Sequence, residues 1–450
     1  MQQIEKLLES KKEEYLDLLF TFLKQKSISA QNVGMQACSI MLKEMMEEVG
    51  IDTTLIDTEG HPVVYGEIMN ESNNFTLLLY GHYDVQPADP LEEWNTPPFE
   101  PTIVDGKIYC RGVGDNKGQL MAQLLAIKSY QEVMGDLPIN VKFVFEGEEE
   151  SGSPNIAKFV EDNRDLLKAD LVYTSDGPMH DSGAPFVLLG VRGMLYVELT
   201  AKGGDWDSHS GNKGNIVPNP AWELVELLNT MRAKDGTILI DGFYDDLREP
   251  TKKELELIST LPFDADQLGE QIGYKDFDMT REEYYRKLTL EPTLNIAGFH
   301  SGYGGEGSKT IIPSTAMLKI DMRLVVDQDP DDILDKFIKH VKKHAPDVEV
   351  ISHGSMKPSR TPSDSKVVSV VKHAVENAYK KKPILQPSLG GSLPDYVWTQ
   401  ILGVPSVVVP YANFDEANHS PNENMGVDNF FDGIMCTCHV IRELGEVYKS

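Results

Sequence analysis

Short apolar runs alternate with amphipathic segments along the first part of the chain. Thr76–His82 and Asn140–Glu146 are apolar runs of strand length, and 170–177 is a third. Residues 117–133 repeat apolar side chains at helical spacing, and 153–167 predicts a helix with Ser153 as its N-cap and Pro154 at its first position. This alternation predicts an α/β sheet with parallel strands.

The middle of the chain has a different pattern. Residues 187–203, VLLGVRGMLYVELTAKG, predict paired antiparallel strands, and 219–232 predicts a helix opened by an Asn-Pro cap. Residues from about 235 to 291 are acidic, contain several tyrosines and are predicted to be irregular. A strand at 315–326 and a helix at 329–345 follow. We therefore predict an inserted α+β domain.

The strand and helix alternation then resumes, with helices at 365–381 and from about Asp428, and a strand at 404–410. The expected fold class is α/β, with a mixed, mostly parallel sheet flanked by helices. The expected domains are 1–186 and 355–450, which together form this domain, and 187–354, which forms the insertion.

Composition narrows the possible partners and the compartment. A chain of 450 residues favours two domains, and its net charge of −29 disfavours nucleic acid and anionic membranes as partners. The N-terminal segment has the spacing of an amphipathic helix rather than a signal peptide, and no apolar run is long enough to span a bilayer. The four cysteines form no CxxC pair. A cytoplasmic protein is expected.

Side chains that could bind metal or take part in catalysis are concentrated where the predicted strands end. His82 and Asp84 follow one strand, FEGEEESGS (145–153) brings a bunch of glutamates after another, and Asp176 ends a third. Asp115 lies in a glycine-rich turn that enters a helix, and His419 lies in a loop. Because the carboxyl ends of parallel strands converge on one crevice, these side chains are expected to meet there.

Each of these residues also has an ordinary explanation. A lone aspartate at a strand end is usually a turn or helix cap, a lone histidine is usually a packed or exposed residue, and a glutamate run is usually a solvated surface. Taken together, these ordinary explanations are less convincing, because all of the residues are predicted to lie at one place in the fold. Imidazole and carboxylate ligands without thiolate suit zinc, manganese or cobalt. One carboxylate bridging two ions is typical of two-metal hydrolases, and two dications would neutralise the crowded acids.

Five motifs carry a resemblance to a known family. GHYDVQP, GVGDNKG, EGEEESGS, TSDG and NHSPNE, in this order, resemble the dinuclear-metal peptidases that include carnosinase, cytosolic non-specific dipeptidase, carboxypeptidase G, aminoacylase and succinyl-diaminopimelate desuccinylase. The resemblance implies two divalent ions per subunit. Its implied ligands are His82 and Asp176 for one ion, Glu150 and His419 for the other, and Asp115 as the bridge.

The resemblance also implies catalytic roles. Glu149 would be the general base, since an adjacent carboxylate can face the water while Glu150 holds metal. Asp84 would orient His82 through the second ring nitrogen, and the Asp115–Asn116 peptide would be cis. His209, in DSHSGNKG, would stabilise the oxyanion.

Substrate contacts and the dimer follow from the dipeptidase subgroup of this family, which the chain resembles most. Arg323 would clamp a free substrate carboxylate, although an ordinary strand salt bridge would explain it equally well. Thr310 and the small residues Gly390, Gly391 and Ser392 would contact the substrate. The inserted domain would form a lid and the contact of a homodimer, and His209 would act on the neighbour's site.

These observations favour a two-metal exopeptidase that hydrolyses dipeptides. A deacylase of N-acyl amino acids, from the same family, is the first alternative. A metal-dependent binding protein on a decayed enzyme scaffold is the second, although no ligand or base is missing. The residues leave the preferred substrate side chains and the identity of the metal open, with zinc the first choice.

Overall fold

The chain folds around two main β-sheets, one of eight strands and one of four. The structure is a computed structural model and describes residues 1–274 and 276–449. Its strands are β1 (Asp52–Ile56), β2 (Val63–Ile68), β3 (Thr76–His82), β4 (Thr102–Val104), β5 (Lys107–Tyr109), β6 (Asn140–Glu146), β7 (Leu171–Thr174), β8 (Phe186–Leu188), β9 (Gly193–Lys202), β10 (Ser208–His209), β11 (Thr293–Ser301), β12 (Ile311–Ile312), β13 (Thr315–Leu324), β14 (Glu349–Met356), β15 (Ile384–Gln386), β16 (Ser406–Val408) and β17 (Asn424–Gly426). Its α-helices are α1 (Gln2–Ser10), α2 (Lys12–Lys24), α3 (Met35–Glu48), α4 (Lys117–Met134), α5 (Ile156–Asp162), α6 (Ser210–Lys213), α7 (Pro220–Met231), α8 (Lys252–Ser259), α9 (Ala265–Gln271), α10 (Arg281–Thr289), α11 (Pro330–His344), α12 (Lys366–Tyr379) and α13 (Val427–Tyr448).

The eight-stranded sheet has the order β1-β2-β6-β3-β7-β16-β8-β15. Its central strands β6, β3, β7 and β16 run parallel, as do β8 and β15. Antiparallel pairing joins β1 to β2, β2 to β6 and β16 to β8. This sheet confirms the expected mixed, mostly parallel arrangement.

Helices cover both faces of this sheet, which explains why its central strands β3 and β7 are buried on both faces. Along β3, Leu77 and Leu79 pack into the core shared with α1 to α4, α12 and α13. Leu78 and Tyr80 point to the opposite face and pack against α5 and a π-helical segment, Val397–Leu402. A strand buried on both faces loses the apolar–polar alternation of a half-buried strand.

The four-stranded sheet is antiparallel, with the order β11-β13-β9-β14. Along β13 every second residue, from Ala316 to Leu324, is buried against α7 and α11. The intervening residues Lys319, Asp321 and Arg323 face the other side and stay partly exposed. This alternation is typical of a sheet with one covered face.

Residues 187–203 do not form the predicted antiparallel pair. Strand β8 lies in the large sheet beside β15, whereas β9 lies in the small sheet between β13 and β14. The residues between β8 and β9 cross from one sheet to the other, and the chain returns after β14. Residue 187, the expected start of the insertion, therefore lies in the large sheet, and β14 extends beyond the expected end at 354.

Two further predictions for this part of the chain were wrong. Ser153 does not cap a helix, because its φ is +50° and its hydroxyl donates to the Glu146 carboxylate over 3.0 Å. The helix α5 begins three residues later, at Ile156, after Asn155. The stretch 235–291 is not irregular, because it contains α8, α9 and α10.

A side-chain cap starts each of these three helices, and in α9 Asp264 accepts a hydrogen bond from the Gln267 N–H. Thr251 and Thr280 each accept a hydrogen bond from the backbone N–H three residues on, and Glu254 and Glu283 complete the two capping boxes. Helices α8 and α10 pack through Ile258, Tyr285 and their neighbours against Ile384 of the large sheet. Among the described helices, none combines the length and the apolar character needed to cross a membrane.

Candidate metal centre and active site

Three adjacent parallel strands end at one edge of the large sheet, and polar side chains follow each of them. His82 is the last residue of β3, Asp176 comes two residues after β7, and Glu149 and Glu150 follow β6 in a short 3-10 turn. The spatial order β6-β3-β7 places the three groups side by side. This edge is where open α/β sheets bind their ligands.

Two further side chains reach the same edge from connecting segments. Asp115 lies in the turn that enters α4, and its peptide bond to Asn116 is cis, as the family resemblance implies. His419 lies in the loop between β16 and β17, with a positive φ of 55°. The Asn116 side chain donates to the Ser175 carbonyl over 2.6 Å, which ties this turn to the end of β7.

These side chains form two clusters that share Asp115. His82, Asp115 and Asp176 offer ligand atoms that all lie within 4.8 Å of one another, and Asp115, Glu150 and His419 do the same. Oδ1 of Asp115 lies 3.0 Å from Nε2 of His82, and its Oδ2 lies 3.0 Å from Nε2 of His419. One carboxylate therefore faces both imidazoles, one through each oxygen.

Asp84 connects His82 to the glutamate turn. Its carboxylate lies 3.3 Å from Nδ1 of His82 and accepts hydrogen bonds from the backbone N–H groups of Glu149 (3.2 Å) and Glu150 (3.1 Å). Its backbone carbonyl also lies 3.1 Å from Nδ1 of His82. Asp84 is fully buried, so these contacts hold the imidazole and the turn in one arrangement.

The site carries an excess of negative charge. Hydrogen bonds to Asp115 and Glu150 raise the pKa of His419 to about 11. Burial opposes the charged form of His82, but its hydrogen bonds to Asp115 and Asp176 outweigh burial and raise its pKa well above the usual value. The neighbouring acids therefore favour the positively charged form of both imidazoles.

Glu149 differs from the other acids of the site. Burial raises its pKa well above the usual range, and repulsion from Asp176 and Glu150 adds to this effect. It belongs to neither cluster, and its Oε2 lies 4.0 Å from Nε2 of His82. Two divalent cations fit this donor set, because imidazole nitrogen and carboxylate oxygen bind such ions and their charge would replace the protons.

Four of the expected substrate residues, Arg323, Gly390, Gly391 and Ser392, form a second group at the junction of the two sheets. Arg323 on β13 donates from Nε to Asp321 (3.2 Å) and from Nη1 to Oγ of Ser392 (3.0 Å). Arg192 donates from Nε and Nη2 to the Gly390 carbonyl, over 2.9 and 2.8 Å. Two guanidinium groups therefore flank the Gly390–Gly391–Ser392 loop.

His209 and Thr310 lie together, and neither belongs to the two clusters. The short strands β10 and β12 pair, and the Ser210 N–H donates to the Thr310 carbonyl over 3.0 Å. Both His209 and Thr310 are exposed. Within the described part of this chain, no hydrogen bond joins either residue to a member of the two clusters.

A family model described as Peptidase family M20/M25/M40 matches residues 78–443. The chain belongs to this peptidase family. It is 31% identical over 403 residues to Cys-Gly metallodipeptidase dug1 of Schizosaccharomyces pombe, covering 86% of this chain and 83% of that protein. It is 29% identical over 397 residues to Beta-Ala-His dipeptidase of Homo sapiens, covering 86% and 78%.

Solved structures agree with this assignment. The M20 family metallo-carboxypeptidase Sso-CP2 from Sulfolobus solfataricus matches with a TM-score of 0.91 at 39% identity, over 96% of this chain and 99% of that chain. Human carnosine dipeptidase 1 matches with a TM-score of 0.83 at 26% identity, over 99% of both chains. The family resemblance of the motifs is confirmed, and the protein is a hydrolase.

Several residues that organise this peptidase site were not predicted. Glu423 accepts hydrogen bonds from the turn that carries Asp115, and Gln86 donates to Glu150 over 2.9 Å. Gln119 donates to the Gly114 and Gly177 carbonyls, over 2.8 and 3.1 Å. Glu423 lies in the NHSPNE motif itself, so its place four residues after His419 was the available signal.

Proposed function

We propose that this peptidase is a two-metal exopeptidase that hydrolyses dipeptides. His82 and Asp176 would hold one divalent ion, Glu150 and His419 the other, and Asp115 both. The observation that carries this proposal is that each oxygen of Asp115 faces one imidazole at 3.0 Å. That geometry is typical of a carboxylate that bridges two ions.

When bound, the two ions would supply Lewis acidity and lower the pKa of water. Glu149 would take the proton of the attacking water and pass it to the leaving amine. Its burial and its place outside both clusters support this role, because a general base must face the reaction without being a ligand. Asp84 would keep Glu149 in reach of the water through its contact with the Glu149 N–H.

The proposed ligand atoms suit a divalent metal ion that is intermediate between hard and soft. The donor set combines nitrogen and carboxylate oxygen, and in the described residues neither cluster includes a cysteine. Zinc is the first expectation, and manganese or cobalt would fit the same ligands.

Arg323 would bind the free carboxylate of the substrate. Nη1 of Arg323 already lies at Ser392, so a carboxylate placed there would contact the guanidinium and the hydroxyl together. Gly390 and Gly391 carry no side chain that would obstruct the approach. Recognition of a free carboxylate one residue from the scissile bond would restrict cleavage to the C-terminal peptide bond of the substrate.

We further propose a homodimer in which His209, with Thr310, completes the neighbour's site. The edge strand β11 exposes Ile296 and Phe299, and α7, which packs over β13 beside it, exposes Trp222. Exposed apolar residues on an edge strand and its adjoining helix suit a protein–protein contact. His209 could then donate a hydrogen bond to the oxyanion across this contact.

The inserted segment, 187–354 as predicted, would act as the lid and the dimer contact. The remaining segments, 1–186 and 355–450, would form the catalytic domain. A cytoplasmic location is also proposed, since all four cysteines are free and buried.

Two other activities deserve a direct test. A carboxypeptidase that acts on longer peptides is favoured by the 39% identity to Sso-CP2, which is named a metallo-carboxypeptidase. The second alternative activity is removal of the acyl group from N-acyl amino acids. It fits the proposed Arg323 site because such substrates also end in a free carboxylate. The remote alternative, a non-catalytic binding protein, receives no support from a site with every proposed ligand and Glu149 present.

One assay panel separates these activities. The purified protein, loaded in turn with zinc, manganese and cobalt, is incubated with dipeptides, N-blocked tripeptides and N-acyl amino acids, with Glu149→Ala as the inactive control. We expect the highest kcat/KM on dipeptides. Faster cleavage of the blocked tripeptides or of the N-acyl amino acids would contradict the dipeptidase proposal and select the corresponding alternative.

A further inference from the structure

A fully buried ion pair lies directly under the turn that carries Asp115. Glu423 is 0% exposed and Arg111 is 1% exposed. Nη1 of Arg111 donates to Oε2 of Glu423 over 2.7 Å. Burying both charges costs free energy of desolvation, and a well-packed apolar pair is often at least as stable. The pair therefore requires an explanation beyond the stability of the fold.

Glu423 uses both carboxylate oxygens to hold the Asp115 turn. Oε2 also accepts from the Gly112 N–H over 2.9 Å, and Oε1 accepts from the N–H groups of Gly114 (2.9 Å) and Asp115 (3.0 Å). Gly112 has a φ of +86°, which favours glycine and lets the turn present its N–H groups to one point. The backbone of Asp115 is thus bonded to a residue more than 300 positions later in the chain.

The same ion pair contacts two more loops of the metal centre. Glu423 lies four residues after His419, in the same loop. Arg111 donates from Nη2 to the Pro87 carbonyl over 3.2 Å, and Pro87 follows Gln86, which holds Glu150. The Trp94 ring lies 5.3 Å from the guanidinium and covers it. Three loops that carry or contact proposed ligands therefore meet at one buried pair.

We propose that Glu423 and Arg111 are positioning residues that set the affinity of the metal centre. By fixing the turn of Asp115 against the loop of His419, they hold the shared ligand and its partner at the separation that the ions require. The inference rests on the ligand assignment of the proposed function. Partners of metal ligands typically change metal affinity about 10–100-fold when they are altered.

A second buried Arg–Glu pair provides a matched control. Glu254 is bonded to Arg360 and Arg248, and it accepts a hydrogen bond from the Thr251 N–H over 2.8 Å. Like Glu423, it combines arginine and backbone partners in a buried place. In the described part of the chain it contacts no member of the metal clusters. Glu254→Gln therefore reproduces the loss of a buried ion pair without touching the metal centre.

The experiment measures metal binding rather than turnover. Wild type, Glu423→Gln and Glu254→Gln are stripped of metal, and zinc and manganese affinities are measured by competition with a chromophoric chelator, beside the Tm of each apoprotein. We expect both variants to lower the apoprotein Tm. Only Glu423→Gln should weaken metal binding, by about 10–100-fold, and excess metal should then restore its metal occupancy.

The inference would be overturned if Glu423→Gln binds both ions with wild-type affinity while its Tm falls as in Glu254→Gln. The ion pair would then be a structural feature only. If Glu423→Gln does not fold, Arg111→Lys replaces it, because lysine keeps the charge but loses the bond to Pro87 or to Glu423; unchanged metal affinity there overturns the inference equally. Because affinity is read without a peptide, a wild-type protein that binds two ions but cleaves no peptide would contradict the proposed function alone.

Discussion

Nη1 of Arg323 donates a hydrogen bond to Oγ of Ser392 over 3.0 Å. Arg323 belongs to the four-stranded sheet, and Ser392 follows β15 of the eight-stranded sheet. The proposed carboxylate site is therefore assembled from both sheets. Its geometry depends on their relative position, which makes carboxylate recognition a sensitive readout of this junction.

Replacing Arg323 should remove the preference for a free substrate carboxylate. For Arg323→Ala and Arg323→Lys we expect kcat/KM on a free dipeptide to fall about 10–100-fold, the value of a charged hydrogen bond. The C-terminal amide of the same dipeptide should lose far less. Lysine keeps the charge but cannot form the bidentate contact, so it should not restore the preference.

A neighbouring lysine is the control for this prediction. Lys319 lies on the same face of β13 and pairs with Glu198 over 3.6 Å, away from the Ser392 loop. Lys319→Ala should leave the ratio of the two substrates unchanged. Equal losses on acid and amide in the Arg323 variants would show that Arg323 is structural.

Removing the proposed base should stop turnover without removing metal. For Glu149→Ala we expect kcat to fall about 10²–10⁴-fold with both ions still bound, since Glu149 belongs to neither cluster. Elemental analysis beside kcat checks this. Glu148→Ala, which removes a carboxylate bonded instead to Asn155 over 2.8 Å, is the matched control and should stay active. Near-normal kcat in a fully loaded Glu149→Ala protein would exclude the role.

Subunit mixing should reveal a site shared between two chains. Glu149→Ala and His209→Ala are each expected to be nearly inactive, and loss of one oxyanion donor typically costs about 10²–10³-fold in kcat. If His209 acts on the neighbouring site, a mixed dimer has one intact site, with Glu149 from one chain and His209 from the other. Activity should return when the two variants exchange subunits.

The opposite result has an equally clear meaning. If His209 works within its own chain, every site in the mixed dimer carries one lesion. Exchange proven by mass spectrometry of differently labelled subunits, with no recovered activity, would rule out the shared site. A monomer at assay concentration would rule it out as well.

Acid should weaken the fold partly through Glu254. Burial favours its neutral form, but hydrogen bonds from Arg248 and Thr251 and the charge of Arg360 prevail and lower its pKa to about 2. Its contribution to the free energy of unfolding is therefore complete above about pH 4.5 and is lost as the pH falls towards 2. After a discount for solvent screening, we expect about 1–2 kcal/mol.

Urea unfolding of the apoprotein between pH 6 and pH 2 measures this contribution. Glu254→Gln should be less stable than wild type at pH 6, and the difference should shrink through the window. Glu256→Gln, which alters an exposed carboxylate on the same helix, should show no such trend. A constant difference for Glu254→Gln at all pH values would contradict the prediction.

The alternation of strands and helices could be predicted because burial dictates it locally. Thr76–His82 and Asn140–Glu146 form strands with the predicted bounds, and α4 extends one residue past the predicted helix. The strand pairing within 187–203 could not be predicted, since an apolar pattern indicates a strand but not the strand with which it pairs. There, two apolar runs separated by Gly190 and Gly193 resemble a hairpin, but they enter different sheets.

The helices of 235–291 were missed for a physical reason. They are short and polar, and α8 and α10 are stabilised by packing on distant residues such as Ile384. Isolated helices of this length are marginal, so their periodicity is weak. The capping pairs Thr251–Glu254 and Thr280–Glu283 were nevertheless present as local signals.

The grouping of the candidate metal ligands could be predicted because the carboxyl ends of parallel strands converge. The residues that hold these candidate ligands in place could not be predicted. A carboxylate such as Glu423 acts through backbone N–H groups, and only the fold determines where those groups lie. The same holds for Arg192, whose contact with Gly390 joins segments 198 residues apart. The assignment of each ligand and of His209, Thr310 and Arg323 stays a prediction until the experiments above are done.

Asp115 and His419, two proposed metal ligands that face each other, are separated by 304 residues. A ribosome adds about 5–20 residues per second, so it needs about 15–60 s to deliver His419 after Asp115 has been made. During that interval the nascent chain holds the crowded acids around Asp115 without His419 and without Glu423, the partner of Arg111. The proposed centre is therefore completed only after His419 and Glu423 have been made, and a chain that terminates before them lacks one proposed ligand and the carboxylate that holds the Asp115 turn.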